Sequence, residues 1–256
     1  MAPQILGVFP AVSRQVLRND VQESALVAVR NVHVPSLFLG KLGFNEKIIQ
    51  GYDDKELDNS AVPAAALAVA RCAVSYTPEW QDTPSFDLKK YFQDGFFVSS
   101  TRQLRWKEGD KPVSGFFTID TPSTKAVVGF ASGKPCNFGE LTISSRSQFA
   151  ALYVTAIESK GTIQNAKSLL LVALGRARNS GMKFSPVGNE LLAKGSSPIL
   201  MEPICADFVW KGRPIQQVNI LNHDGVRTGK TIQIQNNQFT LNGQVDQTPY
   251  YEILFQ

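Results

Sequence analysis

Between Ser99 and Met182 the chain sets short apolar segments one after another and separates them with turns rich in Pro, Gly and Asn. The run reads SSTRQLRW, then GFFTIDTPSTKAVVGFASGKPCNFGELTI, then FAALYVTAI, then SLLLVALGRARNSGM. Segments this short, dense in β-branched and aromatic residues and bounded by turn formers, are strand patterns rather than helices. One strand ends in Ile119-Asp120-Thr121-Pro122 and is followed directly by Ala126-Val127-Val128-Gly129-Phe130. From Val113 onward such patterns recur about every 8–12 residues, the spacing of an all-β sandwich or barrel. Asn222-His223-Asp224-Gly225 predicts a hairpin, because Asp-Gly supplies the positive φ of a tight turn. Asn242-Gly243 predicts another, and Thr248 to Phe255 a last strand.

Upstream the pattern is less uniform. Ser24 to Val34 reads as a strand stopped by Pro35. Ala64 to Val74 reads two ways: its alanines favour helix, while Leu67, Val69, Arg71 and Ala73 alternate with their neighbours as in a strand. Phe86 to Phe92 fits one helical turn, and Trp80 to Asp94 is the seam at which the pattern changes. The expected architecture is all-β: a smaller β unit with some helix over residues 1–85, then an antiparallel, jelly-roll-like β-sandwich over 86–256.

The ordered set of turns resembles the β-rich accessory domain that follows the catalytic (β/α)8 barrel in certain large bacterial glycoside hydrolases. There the matching segments look like TG-x-L-x-W, F-x-V-x-TP-x-T-x-x-x-x-GF and LL-x-x-x-x-R-x-x-N-x-GM. The resemblance covers roughly two thirds of the chain. It takes in Phe9-Pro10-Ala11 and Arg18-Asn19-Asp20-Val21 upstream, and Pro198 to Pro203 and Tyr250 to Ile253 downstream. Ser100-Thr101-Arg102 stands where the family has a Thr-Gly turn, and Tyr250 where it has Trp. The resemblance implies a strand over Ala64 to Val74 and a secreted or periplasmic setting. It also implies a role in bracing a catalytic barrel, carried on the same chain or a partner, and in contacting polysaccharide.

The residues themselves favour a part without chemistry of its own. A glycosidase needs two carboxyls flanking the scissile bond, and a barrel enzyme carries them at strand ends. Here no run of eight βα units exists. The acids fall in turns: Asp53, Asp54, Glu56 and Asp58 in one polar stretch, Glu79, Asp82 and Asp87 in another. Asp120 before Thr-Pro suits a turn, and Glu202 suits capping or pairing with an arginine, as Arg176 and Arg178 suit pairing with acids. His33 and His223 are the only histidines, one in an apolar strand and one in a hairpin turn, so no Ser/His/Asp or Cys/His set is implied. Glycine-rich phosphate loops and zinc-protease helices have no counterpart, and no cofactor is called for.

Glycan contact needs exposed aromatics for the apolar faces of sugars and amides or carboxylates for the hydroxyls. The candidates are Trp80, in a polar Pro-rich loop, with Tyr91, Trp106 and Tyr250. Trp80 and Trp106 have an alternative reading as packing residues, and Trp210 at a strand end is read as packing. A free-standing carbohydrate-binding module and an assembly protein that forms homo-oligomers are the competing functional readings.

Composition narrows the partners. The net charge is +4, and the 26 basic residues form no run of five, so nothing indicates nucleic-acid capture. No apolar stretch approaches the ~20 residues of a membrane span, and Met1-Ala2-Pro3-Gln4 does not open a signal peptide. Cys72, Cys136 and Cys205 sit far apart among apolar neighbours and read as small buried hydrophobes.

Overall fold

The computed structural model describes residues 3–39, 61–110, 114–188 and 190–256. The acidic stretch Asp53 to Asp58 lies outside the described residues. The chain is all-β with large antiparallel sheets, the class its sequence predicts. It divides into two compact units, 22–106 and, combined, 1–21 with 107–256. This differs from a division at residue 85, and two physical features account for it.

The first is helix α1 (Pro3–Leu17). Gly7 and Ala11, one turn apart, form its buried face. They are small because the helix lies close on the sandwich: a Cβ at Gly7 would stand 2.6 Å from Leu174 Cδ1. The helix ends in a left-handed Asn19 (φ 52). Asn19 N–H donates to the Val16 carbonyl and Asp20 N–H to the Gln15 carbonyl, at 3.1 and 3.0 Å, the Schellman pattern of helix ends. Residues 1–21 therefore belong to the sandwich.

The second is the ladder of residues 92–107. In the smaller unit β1 (Val27–His33), α2 (Val34–Phe38) and β2 (Arg71–Thr77) come first, with β1 and β2 paired in parallel from Val27↔Arg71 to His33↔Thr77. Pro35 opens α2 after β1 has ended. The alanine-rich segment splits: Ala64–Ala68 is a 3-10 turn, and the strand starts at Arg71. Leu88–Tyr91 makes the short turn expected there. β3 (Phe92–Gln93), β4 (Phe96–Val98) and β5 (Leu104–Lys107) follow as an antiparallel ladder. Arg102 at φ 60 makes the β4–β5 turn, so an arginine occupies the left-handed conformation that favours glycine.

After α1 the larger unit resumes with β6 (Phe116–Asp120), β7 (Thr124–Gly129), β8 (Cys136–Asn137), β9 (Leu141–Ser145), β10 (Ala150–Ala156) and β11 (Ser168–Leu174). An arm follows, of β12 (Ala177–Ser180), β13 (Lys183–Phe184), β14 (Leu191–Ala193) and β15 (Ser196–Met201). Last come β16 (Cys205–Trp210), β17 (Ile215–Leu221), β18 (Arg227–Ile232), β19 (Gln238–Asn242), α3 (Gly243–Asp246) and β20 (Tyr250–Phe255). Within this unit one antiparallel sheet runs β18-β17-β20-β11-β10-β7-β6, and a second runs β19-β16-β9-β8. The Asp-Gly hairpin forms between β17 and β18, with Gly225 at φ 80 and its N–H donating to the Asn222 carbonyl. Asn242-Gly243 opens α3 instead of a hairpin.

The sheets meet through Trp210 of β16 and Phe255 of β20, whose rings lie 4.9 Å apart, while Phe208 and Phe239 stack at 5.0 Å. β10 is buried along its whole length and β11 from Leu169 to Leu174. Helix α1 packs on these two strands. A strand covered on both faces has no solvent side on which to place polar residues, which explains why Leu169 to Leu174 is a continuous apolar run.

Candidate functional site

The turns that punctuate the strands prove to be joints of the fold. Asp20, delivered by the Schellman turn of α1, accepts from Arg18 Nε at 3.0 Å and Nη2 at 2.8 Å, and from Thr124 Oγ1 at 2.6 Å. Arg18 also donates to Thr155 Oγ1 at 2.5 Å and to the Ala156 carbonyl. Thr121 closes the Thr-Pro turn: its hydroxyl donates to the Thr124 carbonyl at 3.1 Å and accepts from Thr124 N–H at 2.9 Å. The Arg18-Asn19-Asp20 segment and the Thr121-Pro122-Ser123-Thr124 turn thus pin α1 to the start of β7 and the end of β10. Asp120 is held by Lys125, whose ammonium lies 2.5 Å from it and 3.5 Å from Glu140.

The second motif does similar work at the root of the arm. Arg176 donates from Nε to Glu202 at 2.8 Å and from Nη2 to Gln148 at 2.9 Å, and Arg178 lies 3.8 Å from the same carboxylate. Asn179 donates from Nδ2 to the Lys194 carbonyl at 3.1 Å. Glu202 thus takes the arginine-pairing role expected of it, and it is the acid that Arg176 and Arg178 meet, while Asp120 pairs with Lys125.

Beyond this root the arm has little of its own to pack on. β12 pairs with β15 and β13 with β14. All six residues of β15 are exposed, on both faces of the strand. Ile199 and Leu200, which point to opposite faces, are 53% and 57% exposed, and Leu191 and Leu192 of β14 are 47% and 59% exposed. Helix α1 repeats the theme, its outer face carrying exposed Ile5, Phe9 and Val16.

The aromatic candidates are dispersed. Trp80 is 65% exposed, donates its indole N–H to Asp82 Oδ1 at 3.1 Å and meets His33 edge-on. His33 closes β1 and shares a hydrogen bond with Ser36 Oγ at 2.7 Å. Tyr91 stacks on Phe86, and Trp106 leans on Phe97. These three rings share the smaller unit but keep separate neighbours. Tyr250 belongs to the sandwich, where its hydroxyl donates to the Gly7 carbonyl at 3.1 Å and burial pushes its pKa up. Trp210 is buried, as a packing residue should be. The cysteines correct one expectation: all three are free thiols, but Cys72 is exposed on β2 and the other two are half-buried. Their apolar neighbours in sequence mislead because β2 is exposed over Arg71 to Val74.

Carboxylates elsewhere in the sandwich are also paired. Arg227 donates to Glu252 from Nε at 2.6 Å and Nη2 at 3.0 Å, and with Asn219 holds that carboxyl below the ordinary glutamate range. Arg146 clamps Asp207 with bonds of 2.7 and 2.5 Å, which raise the arginine's own pKa. Among the described residues no group of three or more His, Cys, Asp or Glu side chains could hold a metal ion, and no helix is long and apolar enough to cross a membrane.

No family model, curated protein or solved structure matches this chain. The geometry alone therefore carries the functional reading. A search for aromatics misses two of its features. One is the arm, whose sequence looks like any strand pair. The other is the polar alternation in Gln233-Ile234-Gln235 and Gln238-Phe239-Thr240-Leu241-Asn242, which flanks Asn236-Asn237 and is legible as a row of amides along one face.

Proposed function

We propose that this chain is a non-catalytic accessory β-domain of a carbohydrate-active enzyme, of the kind that braces a (β/α)8 barrel, and that it holds its partner domain through the β12–β15 arm. The observation that carries this reading is the exposure of β15 on both faces. A strand in a finished domain normally hides at least one face. Burying a leucine or isoleucine side chain is worth about 1.5–3 kcal/mol, so an arm with Ile199, Leu200, Leu191 and Leu192 uncovered gains most of its stabilisation only against a partner. The exposed outer face of α1 offers further apolar contact. The pairing of Asp20, Asp120, Glu202, Asp207 and Glu252 with cations supports a role in which the chemistry belongs to the partner.

The test compares the full chain with its Ile199→Ser/Leu200→Ser variant by light scattering after size exclusion, by binding of a hydrophobic dye, and by hydrolysis of a polysaccharide panel. The wild type should bind dye and self-associate with rising concentration, without releasing sugar. The variant should be monomeric and dye-poor at an unchanged unfolding midpoint. Loss of several degrees in the variant would make these residues core rather than docking surface. Hydrolysis by the chain alone would remove the accessory reading altogether.

A further inference from the structure

The geometry points to a binding cleft for a neutral oligosaccharide on the outer face of β16 and β19, lined by none of the four aromatic candidates. The cleft holds about 760 Å³, within the range of small-ligand sites. This inference rests on the carbohydrate reading proposed above and adds the place and class of ligand.

Strand alternation builds one wall. Phe239 and Leu241 of β19 face the core, so Gln238, Thr240 and Asn242 face out. Asp207 lies directly opposite Thr240, and Val209 opposite Gln238. The other wall is the stretch leaving β18, with Thr231, Gln233 and Gln235. A tight turn joins the two walls. Asn236 and Asn237 both take positive φ, 49° and 58°, and Gln235 and Gln238 exchange backbone hydrogen bonds of 2.9 and 3.0 Å across them. Residues paired in this way project to the same face. The Asn237 side chain anchors the turn, accepting from Ile215 N–H at 2.8 Å and donating to the Trp210 carbonyl at 3.0 Å. The amides of Gln235 and Gln238 are thus presented from a rigid support, which lowers the ordering cost of binding.

Chemistry selects the ligand. The side-chain amides of Gln233, Gln235, Gln238 and Asn242 make no hydrogen bond among the described residues, so each offers a donor and an acceptor, the combination that pairs with a hydroxyl. The cleft's charged pair, Arg146 and Asp207, is closed on itself by two bonds, and Thr240 Oγ1 adds a third to Asp207 at 2.7 Å. The charges cancel, so neither an anionic nor a cationic ligand is favoured. Val209, Ile232 and Val245 supply apolar ground for C–H faces. A neutral, polyhydroxylated chain fits that combination.

Calorimetric titration of the full chain with neutral cello-, xylo-, manno- and galacto-oligosaccharides, and with an oligogalacturonate, tests this. At least one neutral sugar should bind saturably. Gln235→Ala/Gln238→Ala should weaken it by roughly tenfold or more, since each amide hydrogen bond carries about threefold to tenfold. Trp80→Ala and Ile199→Ser/Leu200→Ser should leave it unchanged, and all variants should keep the wild-type unfolding midpoint. Absence of neutral-sugar binding, binding of the oligogalacturonate alone, or affinity indifferent to the double amide variant overturns the inference. A cleft that binds sugar beside an arm that docks nothing would refute only the partner-bracing reading.

Discussion

Replacing Asp20 with Asn should destabilise the sandwich severely. Its side chain is 3% exposed and that of Arg18 is 9% exposed, so the pair is withdrawn from water. The asparagine keeps the shape but removes the charge that offsets the guanidinium. Stranding one member of a buried pair costs about 3–5 kcal/mol. For a domain of this size each kcal/mol lowers the midpoint by roughly 2–4 °C, so the shift should fall near ~6–20 °C. Tryptophan fluorescence in a Trp80→Phe/Trp106→Phe background would follow Trp210 alone, and hence the sandwich core. Arg18→Met/Asp20→Leu, which removes both charges, should recover much of the loss, because apolar replacement of a buried pair is often nearly neutral. A midpoint within about 2 °C of wild type for Asp20→Asn, below what one lost buried charge should cost, would refute the view that this pair anchors α1. So would a double variant whose loss equals the sum of the two single losses.

Gly7→Ala should cost about 1–3 kcal/mol by overpacking, since the new methyl meets fully buried Leu174 and the helix must lift to admit it; urea denaturation would read this, and an unchanged midpoint would mean that α1 is not seated closely. Glu252 titrates below its ordinary range in the folded chain, so its pairing stabilises the fold above the unfolded glutamate value of about 4.3 and is lost as pH falls below it. Arg227→Ala should therefore lower stability at neutral pH and flatten its fall on acidification, which thermal melts between neutral pH and pH 3 would show. Parallel curves for the two proteins would exclude Arg227 as the cause.

The turns were legible in the sequence because their chemistry is local. Asp224-Gly225 dictates a hairpin wherever it stands between strands, and Thr121 with Thr124 closes its own loop through a hydroxyl. Strand identity from Phe116 onward followed from β-branched and aromatic content, and so did the all-β class. Which partners complete these joints was not legible: Thr124 and Thr155 for Asp20 and Arg18, and Glu202 in particular for Arg176, arrive by tertiary approach. Thr124 and Thr155 reach Asp20 and Arg18 across more than 100 residues of chain. Residues 1–21 join the sandwich for a related reason: two small side chains, Gly7 and Ala11, let a helix lie on β10 and β11, and no periodicity within the helix names the surface that receives it.

The same limit governs the surfaces proposed for function. Ile199-Leu200-Met201 of β15 and Leu169 to Leu174 of β11 are both apolar as sequence, yet one is uncovered on both faces and the other is enclosed. Burial depends on which other elements arrive, and that is a property of the whole fold. The amide row along β19 was written in the sequence as a period of two, but only the pairing of β19 with β16 and the Asn236-Asn237 turn made it a cleft. By itself, then, the sequence determined where strands form and turns close, through propensities that act over a few residues. Only the tertiary structure decided which apolar faces remain open and which polar rows face each other, because those outcomes depend on contacts between residues far apart in the chain.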